Sequence, residues 1–298
     1  MHFEDDARCF RAHLGLYAIE PVWMQQAIHA IQRGLWPIRA FSHDPEAALP
    51  DRERLYTSMG DGVAVIRIVG AMTKGYSKFG GTSTVQTRRA LRQAVADEAV
   101  GSILLAIDSP GGQVAGVQEL ADEVLRTRQV KPVAGYVEDL GASAAYWPAS
   151  QAQRITANRV AEVGSIGVFA VLEDVSGLAE REGIKVRVVS TGPYKGLGVP
   201  GTPVTAEMVD MVQARVNEIG GFFFEAVQTG RKLSATRLAQ VTDGRTWLAA
   251  DAQKLGLIDG IESFEEAVAG AARMRRGRRT TAAQSELAQV RAAWEQTA

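Results

Sequence analysis

The 298-residue chain has a single cysteine, Cys9, so no disulfide can close within it and its fold does not depend on an oxidising compartment. Histidine is almost as scarce. His2, His13, His29 and His43 all lie near the N-terminus, so a Ser-His-Asp triad would need that end of the chain to reach across the fold. Charge of one sign is also missing: 33 Lys and Arg against 34 Asp and Glu leave a net charge of −1, with no overall field to steer the chain to nucleic acid or an anionic membrane. No apolar run approaches the roughly 20 residues of a membrane span, so no integral membrane segment is expected. The opening MHFEDDARCF is acidic and lacks the apolar stretch of a signal peptide. These absences set the expectation of a cytoplasmic protein. With no cysteine pair, HExxH, carboxylate-histidine cluster or Walker P-loop, neither a metal nor another cofactor is expected.

What is present is an ordinary globular composition, 46% apolar and 22% charged, long enough for one large core with appendages. Residues 1–57 read as an N-terminal helical arm, with a helical segment from Pro21 to Arg33 and then a loop carrying Pro37, Pro45 and Pro50. Residues 58–270 read as the main domain. Residues 271–298 start with a basic patch, ARMRRGRR, and form a helical tail expected to lie outside the core.

Within the main domain, GVAVIRIVGAM is a short β-branched run, TSTVQTRRALRQAVAD has helical period, and GSILLAID is a second buried-strand run. Val114, Val117, Leu120, Val124 and Leu125 mark one face of a helix, and PVAGYVE is the next strand. Short runs RITA and GSIGVFAV follow, then a helix through LEDVSGLAEREG, a strand KVRVVS, and a long helix from about Thr205. The apolar stripe of that helix, Met208 to Val227, is expected to be core. This alternation predicts an α/β fold with a mainly parallel sheet flanked by helices, and function in the loops beyond the carboxyl ends of its strands.

Three such loops carry candidate chemistry. In Asp108-Ser-Pro-Gly-Gly-Gln113 two glycines allow a sharp turn and bare N–H groups that could hold an oxyanion, although an ordinary strand-to-helix turn reads the same way. Ser143, set among alanines in GASAAYWPAS, sits in the next such turn, either as packing filler or as a nucleophile beside the N–H of Ala144. Without histidine, the base available to a serine is a neutral lysine, whose pKa falls when burial disfavours its charge. Lys195, in the loop STGPYKGLGVPG, fits better than Lys185, Lys232 or Lys254, yet any loop lysine can equally be a solvated charge. Gly196-Leu-Gly-Val-Pro-Gly201 matches GxGxxG but is too far from a helix start to cradle a pyrophosphate, and reads as a loop.

The ordered set IDSPGGQVAG, GASAAYW, VGSIGV and STGPYKG resembles the signal peptide peptidase A family of Ser-Lys proteases, over about Gly62 to Val268. That resemblance implies a Clp-protease/crotonase-like fold of repeated β-β-α units. It also implies Ser143 as nucleophile, Lys195 as general base, Gly111 or Gly112 with Ala144 as oxyanion donors, and Ser165 as the hydroxyl orienting the lysine. Asp259 in the closing segment would be structural. Ala144-Ala145 stand where two glycines are common in bacterial members, which would leave the nucleophile intact but narrow the S1 pocket or shift the backbone approach.

In character the chain is closest to bacteriophage capsid-assembly (prohead) proteases, on its N-terminal arm, the insertion SKFGGTST and the basic tail. The implied activity is a serine endopeptidase taking extended peptides along strand edges near GQV and GYVED, with small or apolar P1 side chains. The implied partners are a peptide or protein substrate, further copies in a ring-like homo-oligomer, and capsid, portal or scaffold proteins, in a host cytoplasm or prohead. Three alternatives remain open: a peptidase degrading signal peptides, a crotonase-like acyl-CoA enzyme, and a catalytically idle assembly protein.

Overall fold

The computed structural model describes residues 17–19, 54–75 and 81–275. The expected helix from Pro21 to Arg33, most of the 1–57 arm and the tail after 275 lie outside the described residues.

A mainly parallel sheet forms the centre. Strands β2 (Thr57–Met59), β3 (Val63–Val69), β6 (Ser102–Ser109), β8 (Val133–Ala142), β10 (Glu162–Gly164) and β11 (Thr246–Leu248) run in the order β11-β10-β8-β6-β3-β2, with β9 (Arg154–Ala157) also on β8 and β12 (Gly260–Ile261) on β9. β3, β6, β8, β9, β10 and β12 pair in parallel, and only β2 and β11 join antiparallel. A second, smaller sheet has the order β1 (Tyr17–Ile19), β7 (Gly111–Gln113), β4 (Met72–Thr73), β5 (Thr82–Ser83).

The period of two in each strand divides the core between the two faces of the central sheet. Ala64, Ile66 and Ile68 of β3, Ile103, Leu105 and Ile107 of β6, and Val133 and Val137 of β8 face one large cluster. Helices Thr84–Ala96 and Val117–Val130 cover it with Leu91, Leu120 and Val124. The intervening Val63, Val65, Leu104, Ala106, Ala134 and Tyr136 face the other side. With both faces covered, each buried Ile or Leu contributes about 1.5–3 kcal/mol, which explains why these strands read as continuous apolar runs.

The second face is closed by a helix over residues 264–275, whose Ala267 and Ala271 are 1% exposed. The helix therefore continues past the boundary expected at 270. Alanines recur on its inner side, while Arg275 lies along Gly62 and Gly101 and donates to the Asp61 carbonyl (3.2 Å). Among the described residues, no helix is long and apolar enough to cross a membrane.

Other expectations give way in the stretch 167–205. KVRVVS forms no strand: it has no ladder partner among the described residues, and Val189 is 96% exposed. The helix expected through LEDVSGLAEREG shortens to Ser176–Arg181 with no buried residue. In the long helix, Ala206–Arg231, the apolar stripe is core only in part. Phe223 and Val227 are buried, whereas Met211, Val212 and Val216 are partly exposed and Phe222 is exposed, because no element among the described residues covers them.

Candidate active site

Two strand ends converge on one cleft. β8 carries Ser143 on the residue after its last, and β10, parallel and adjacent, carries Ser165 in the same way, with Ala142 paired to Gly164. The two serines thus stand side by side one step beyond a matched pair, 1% and 4% exposed. β8 can hold β10 here because its one edge serves two partners. β9 takes Ala134 to Val137, Asn158 then turns the chain by bonding the Val137, Glu138 and Asp139 groups, and β10 takes Leu140 to Ala142.

Both serines adopt left-handed backbone, φ +55° at Ser143 and +50° at Ser165. Among the described residues the only other non-glycine with positive φ is Lys232, an ordinary helix cap. A side chain in this region costs on the order of 1–3 kcal/mol and persists only where the surroundings enforce it. At Ser143 the enforcement is the packing of the turn that follows. Trp147 stacks on Phe223 (centroids 4.6 Å apart, planes 5° apart), and the Tyr146 hydroxyl donates to the Leu257 carbonyl at 2.7 Å. Burial pushes the Tyr146 phenol far above its usual value, so it stays a donor. At Ser165 the backbone N–H donates to the Arg245 carbonyl at 2.7 Å. The Arg245 guanidinium is itself fixed, lying 4.5 Å over the Trp247 ring and 2.6 Å from Asp243.

The expected oxyanion groups lie beside Ser143. Ser109 pairs with Gly141 across a bulge between β6 and β8, which delivers Ser109-Pro-Gly-Gly-Gln113 next to the serine turn. β7 packs against that turn. SPGG is therefore neither a plain strand-to-helix turn nor a helix start, since it crosses into the small sheet and the next helix begins only at Val117. Gly111 (φ +90°) gives its N–H to Ser109 Oγ at 3.2 Å. Gly112 touches Met72 so closely that no side chain fits there. Ala144 is fully buried in the first turn of a 3-10 helix, where backbone N–H groups have no intrahelical acceptor.

The cleft in front of the serines has a volume of about 610 Å³ and is lined by Ser143, Ser165, Ile166, Phe169, Val216 and Phe224, among others. Lys195 is not among its residues. It is exposed in the turn after Gly192, in the 167–205 stretch, and the chain does not bring it to Ser143. Asp259 has a structural task, accepting from Ile155 N (2.7 Å) and pairing with Arg231 (2.7 Å).

The strand edges expected to take peptide are not open. GYVED lies inside β8, flanked by β6 on one side and β9 on the other. The free edge of β7 is occupied by β1. Sequence reasoning missed the roles of Phe169, Arg245 and Tyr17. The first two are set by long-range contacts, and for Tyr17 the sole local signal was the short run Leu-Tyr-Ala-Ile ahead of Glu20-Pro21.

The chain is similar to several known proteases. A protein of Methanocaldococcus jannaschii, named as a candidate protease, is 37% identical over 172 residues, 58% of this chain and 55% of that protein. Protease 4 of Haemophilus influenzae is 30% identical over 237 residues, 79% of this chain and 38% of its own length. Capsid assembly protease C of Escherichia phage lambda is 29% identical over 225 residues, 74% and 50% of the two chains. The chain thus spans about half, or less, of the length of these relatives. Residues 126–277, which contain both serines, Lys195 and the helix closing the second face, match Peptidase family S49. The chain belongs to peptidase family S49.

Proposed function

We propose that the protein is a serine endopeptidase in which Ser143 is the nucleophile and Lys195 of a second copy is the base. The observation that carries this is the pair of buried serines held side by side on left-handed backbone at the mouth of one cleft. Strained, over-determined backbone of this kind collects at sites of chemistry.

The position of Lys195 supports a second copy. The stretch around it exposes Leu178, Ile184, Val188, Val189 and Tyr194, an apolar surface of the sort that marks a protein interface. The serine cleft is bordered by the uncovered part of the long helix, Val216 and Phe224. A copy seated there buries both surfaces and delivers the lysine into an apolar setting, where an amine more readily loses its proton. Such a head-to-tail contact makes a ring where the rotation between copies closes.

The neutral Lys195 amine takes the Ser143 proton as Oγ attacks the scissile carbonyl, and the N–H groups of Gly112 and Ala144 hold the oxygen that becomes negative. The ammonium then gives its proton to the departing amine as the C–N bond breaks, leaving an ester on Ser143. Lysine next deprotonates a water that attacks this ester, and the proton returns to Oγ. Ser165 Oγ beside Ser143 gives the amine a second partner and fixes its direction. The cleft wall of Ile166, Phe169, Val216 and Phe224 suits apolar side chains.

Ser143→Ala and Lys195→Ala chains are each expected to be inactive on a casein-like substrate. Mixed one to one after dissociation, they are expected to recover about a quarter of the unaltered activity, because one contact in four then joins an intact serine to an intact lysine. Full activity in the lysine variant, or no recovery on mixing, refutes the paired arrangement. The biological role we propose is processing of capsid or scaffold proteins, supported by the likeness to capsid assembly protease C over 74% of this chain. Specific cleavage of a co-expressed scaffold protein, absent with Ser143→Ala, tests it against general degradation of signal peptides.

A further inference from the structure

The strand beside the nucleophile belongs to the chain's own N-terminal region. β1 pairs antiparallel with β7, Tyr17 opposite Gln113, Ala18 opposite Gly112 and Ile19 opposite Gly111. On its other side Tyr17 donates to the Phe169 carbonyl and accepts from the Phe169 N–H, both at 2.9 Å. Phe169 lines the Ser143 cleft, and both β1 and β7 pack against the Ser143–Ala145 turn. The Tyr17 side chain is 6% exposed, with its ring 6.1 Å from that of Phe169.

We propose that β7 and Phe169 are the two walls of the lane that takes the peptide substrate, and that Tyr17–Ile19 is an internal occupant which substrate must displace. This rests on the peptide-hydrolysis reading above. The physical case is the mode of contact. Strand addition to an open edge is how extended peptides are recognised, with backbone bonds for affinity and alternate side chains for selection. β1 is a three-residue strand with this geometry on both sides at once, lying against the nucleophile turn.

The alternation of backbone groups sets its register. Because Tyr17 spends its N–H and C=O on Phe169, those of Ala18 point to Gly112, turning the N–H and C=O of Gly112 into the lane. A bound substrate would meet the same Gly112 groups, its scissile carbonyl replacing that of Ala18 at the Gly112 N–H. As part of the same chain, β1 competes at a high effective concentration. A free peptide therefore binds only the fraction of molecules whose lane is vacant.

The register also supplies the test. Tyr17 and Gln113 face each other as a pair that exchanges no hydrogen bonds, and such pairs hold their Cα atoms about 4.5 Å apart, within the span of a disulfide. In a full-length Cys9→Ser chain carrying Tyr17→Cys and Gln113→Cys, oxidation locks β1 in the lane and reduction frees it. The oxidised form is expected to have at least about tenfold lower kcat/KM on a casein-like substrate, restored by dithiothreitol. It is also expected to bind a fluorescent synthetic peptide of residues 14–22, LGLYAIEPV, at least about tenfold more weakly than the reduced form. In an otherwise unaltered chain, Ala18→Pro removes one N–H of the strand, so peptide binding should tighten and KM fall about tenfold with kcat unchanged.

Equal rates and equal peptide binding in the locked and reduced forms overturn the proposal, as does an Ala18→Pro chain that keeps its melting temperature yet gains no affinity. A locked form that is the more active also overturns it, since β1 would then be a wall of the site. If neither form hydrolyses substrate but peptide binding follows the lock, it is the hydrolysis reading that fails and the occupied lane that stands.

Discussion

Gly112→Ala isolates the part of the site built by close backbone approach. A Cβ at Gly112 would lie 2.0 Å from the Met72 carbonyl oxygen, 2.5 Å from its nitrogen and 2.7 Å from its carbonyl carbon, all of them main chain. Ordinary contact needs about 3.5 Å, so β7 has to back away by about 1.5 Å or β4 has to yield. β4 is poorly placed to yield, because Met72 is fully buried and the Ala71 carbonyl before it accepts from Thr82 N at 3.0 Å. The displacement therefore falls on β7 and carries the Gly112 N–H away from Ser143. A misplacement of about 1 Å at a reacting centre costs on the order of 100-fold in rate, whereas overpacking of this kind costs about 1–3 kcal/mol of stability. At about 2–4 °C per kcal/mol for a domain of this size, the melting temperature falls by roughly 2–12 °C. Steady-state hydrolysis and differential scanning calorimetry on the same preparation are expected to show activity down about 100-fold in a protein still folded at 25 °C. Activity within threefold of the parent, with an unchanged melting temperature, refutes the placement of the Gly112 N–H at the oxyanion.

Other consequences can be checked separately. The Glu123 carboxyl is held below its ordinary value of 4.5 by hydrogen bonds from Arg92, at 3.1 and 2.7 Å, against the opposing effect of burial and with help from Arg126. Its stabilisation is complete above pH 4.5 and is lost as pH falls through the folded-state value, so Glu123→Gln should flatten the acid limb of a melting-temperature profile below pH 4.5. Tyr146→Phe leaves the Leu257 carbonyl without its 2.7 Å donor in a fully buried place, and thermal unfolding should show a loss of about 1–3 kcal/mol. Phe223→Ala removes the ring stacked on Trp147 and should cost about 3–5 kcal/mol in urea unfolding. By contrast Gly221→Ala, on an open face of the long helix with nothing within 4 Å, should gain about 0.5–1 kcal/mol.

Much of the frame was legible because local pattern and tertiary role coincide. Val63–Val69, Ser102–Ser109 and Val133–Ala142 read as buried strands since both of their faces are covered, and Ser83 and Thr205 start helices with side-chain oxygens that accept from Gln86 and Met208. The same signals misled at Lys185–Ser190, where a β-branched run has no partner strand among the described residues. They misled again along the long helix, where an apolar stripe reads as core whether its cover comes from this chain or another. Ser143 and the SPGG turn were legible as neighbours from parallel-strand logic, and the Ser109–Gly141 pair places them so. The role of Tyr17–Ile19 was not legible, because three residues carry too little period to declare a strand and their partners lie about a hundred positions away.

The left-handed serines also set chemistry against stability in this fold. A side chain in that region costs about 1–2 kcal/mol that glycine relieves, and glycine's freer unfolded chain takes back only about 0.4–1 kcal/mol. Ser143→Gly should therefore yield an inert protein that melts no lower than its parent. A lineage that no longer needed catalysis would have nothing in its folding energetics to keep serine at φ +55° or +50°. Serine at both places is what the proposed chemistry asks for, at the two residues whose backbone would be easier without a side chain.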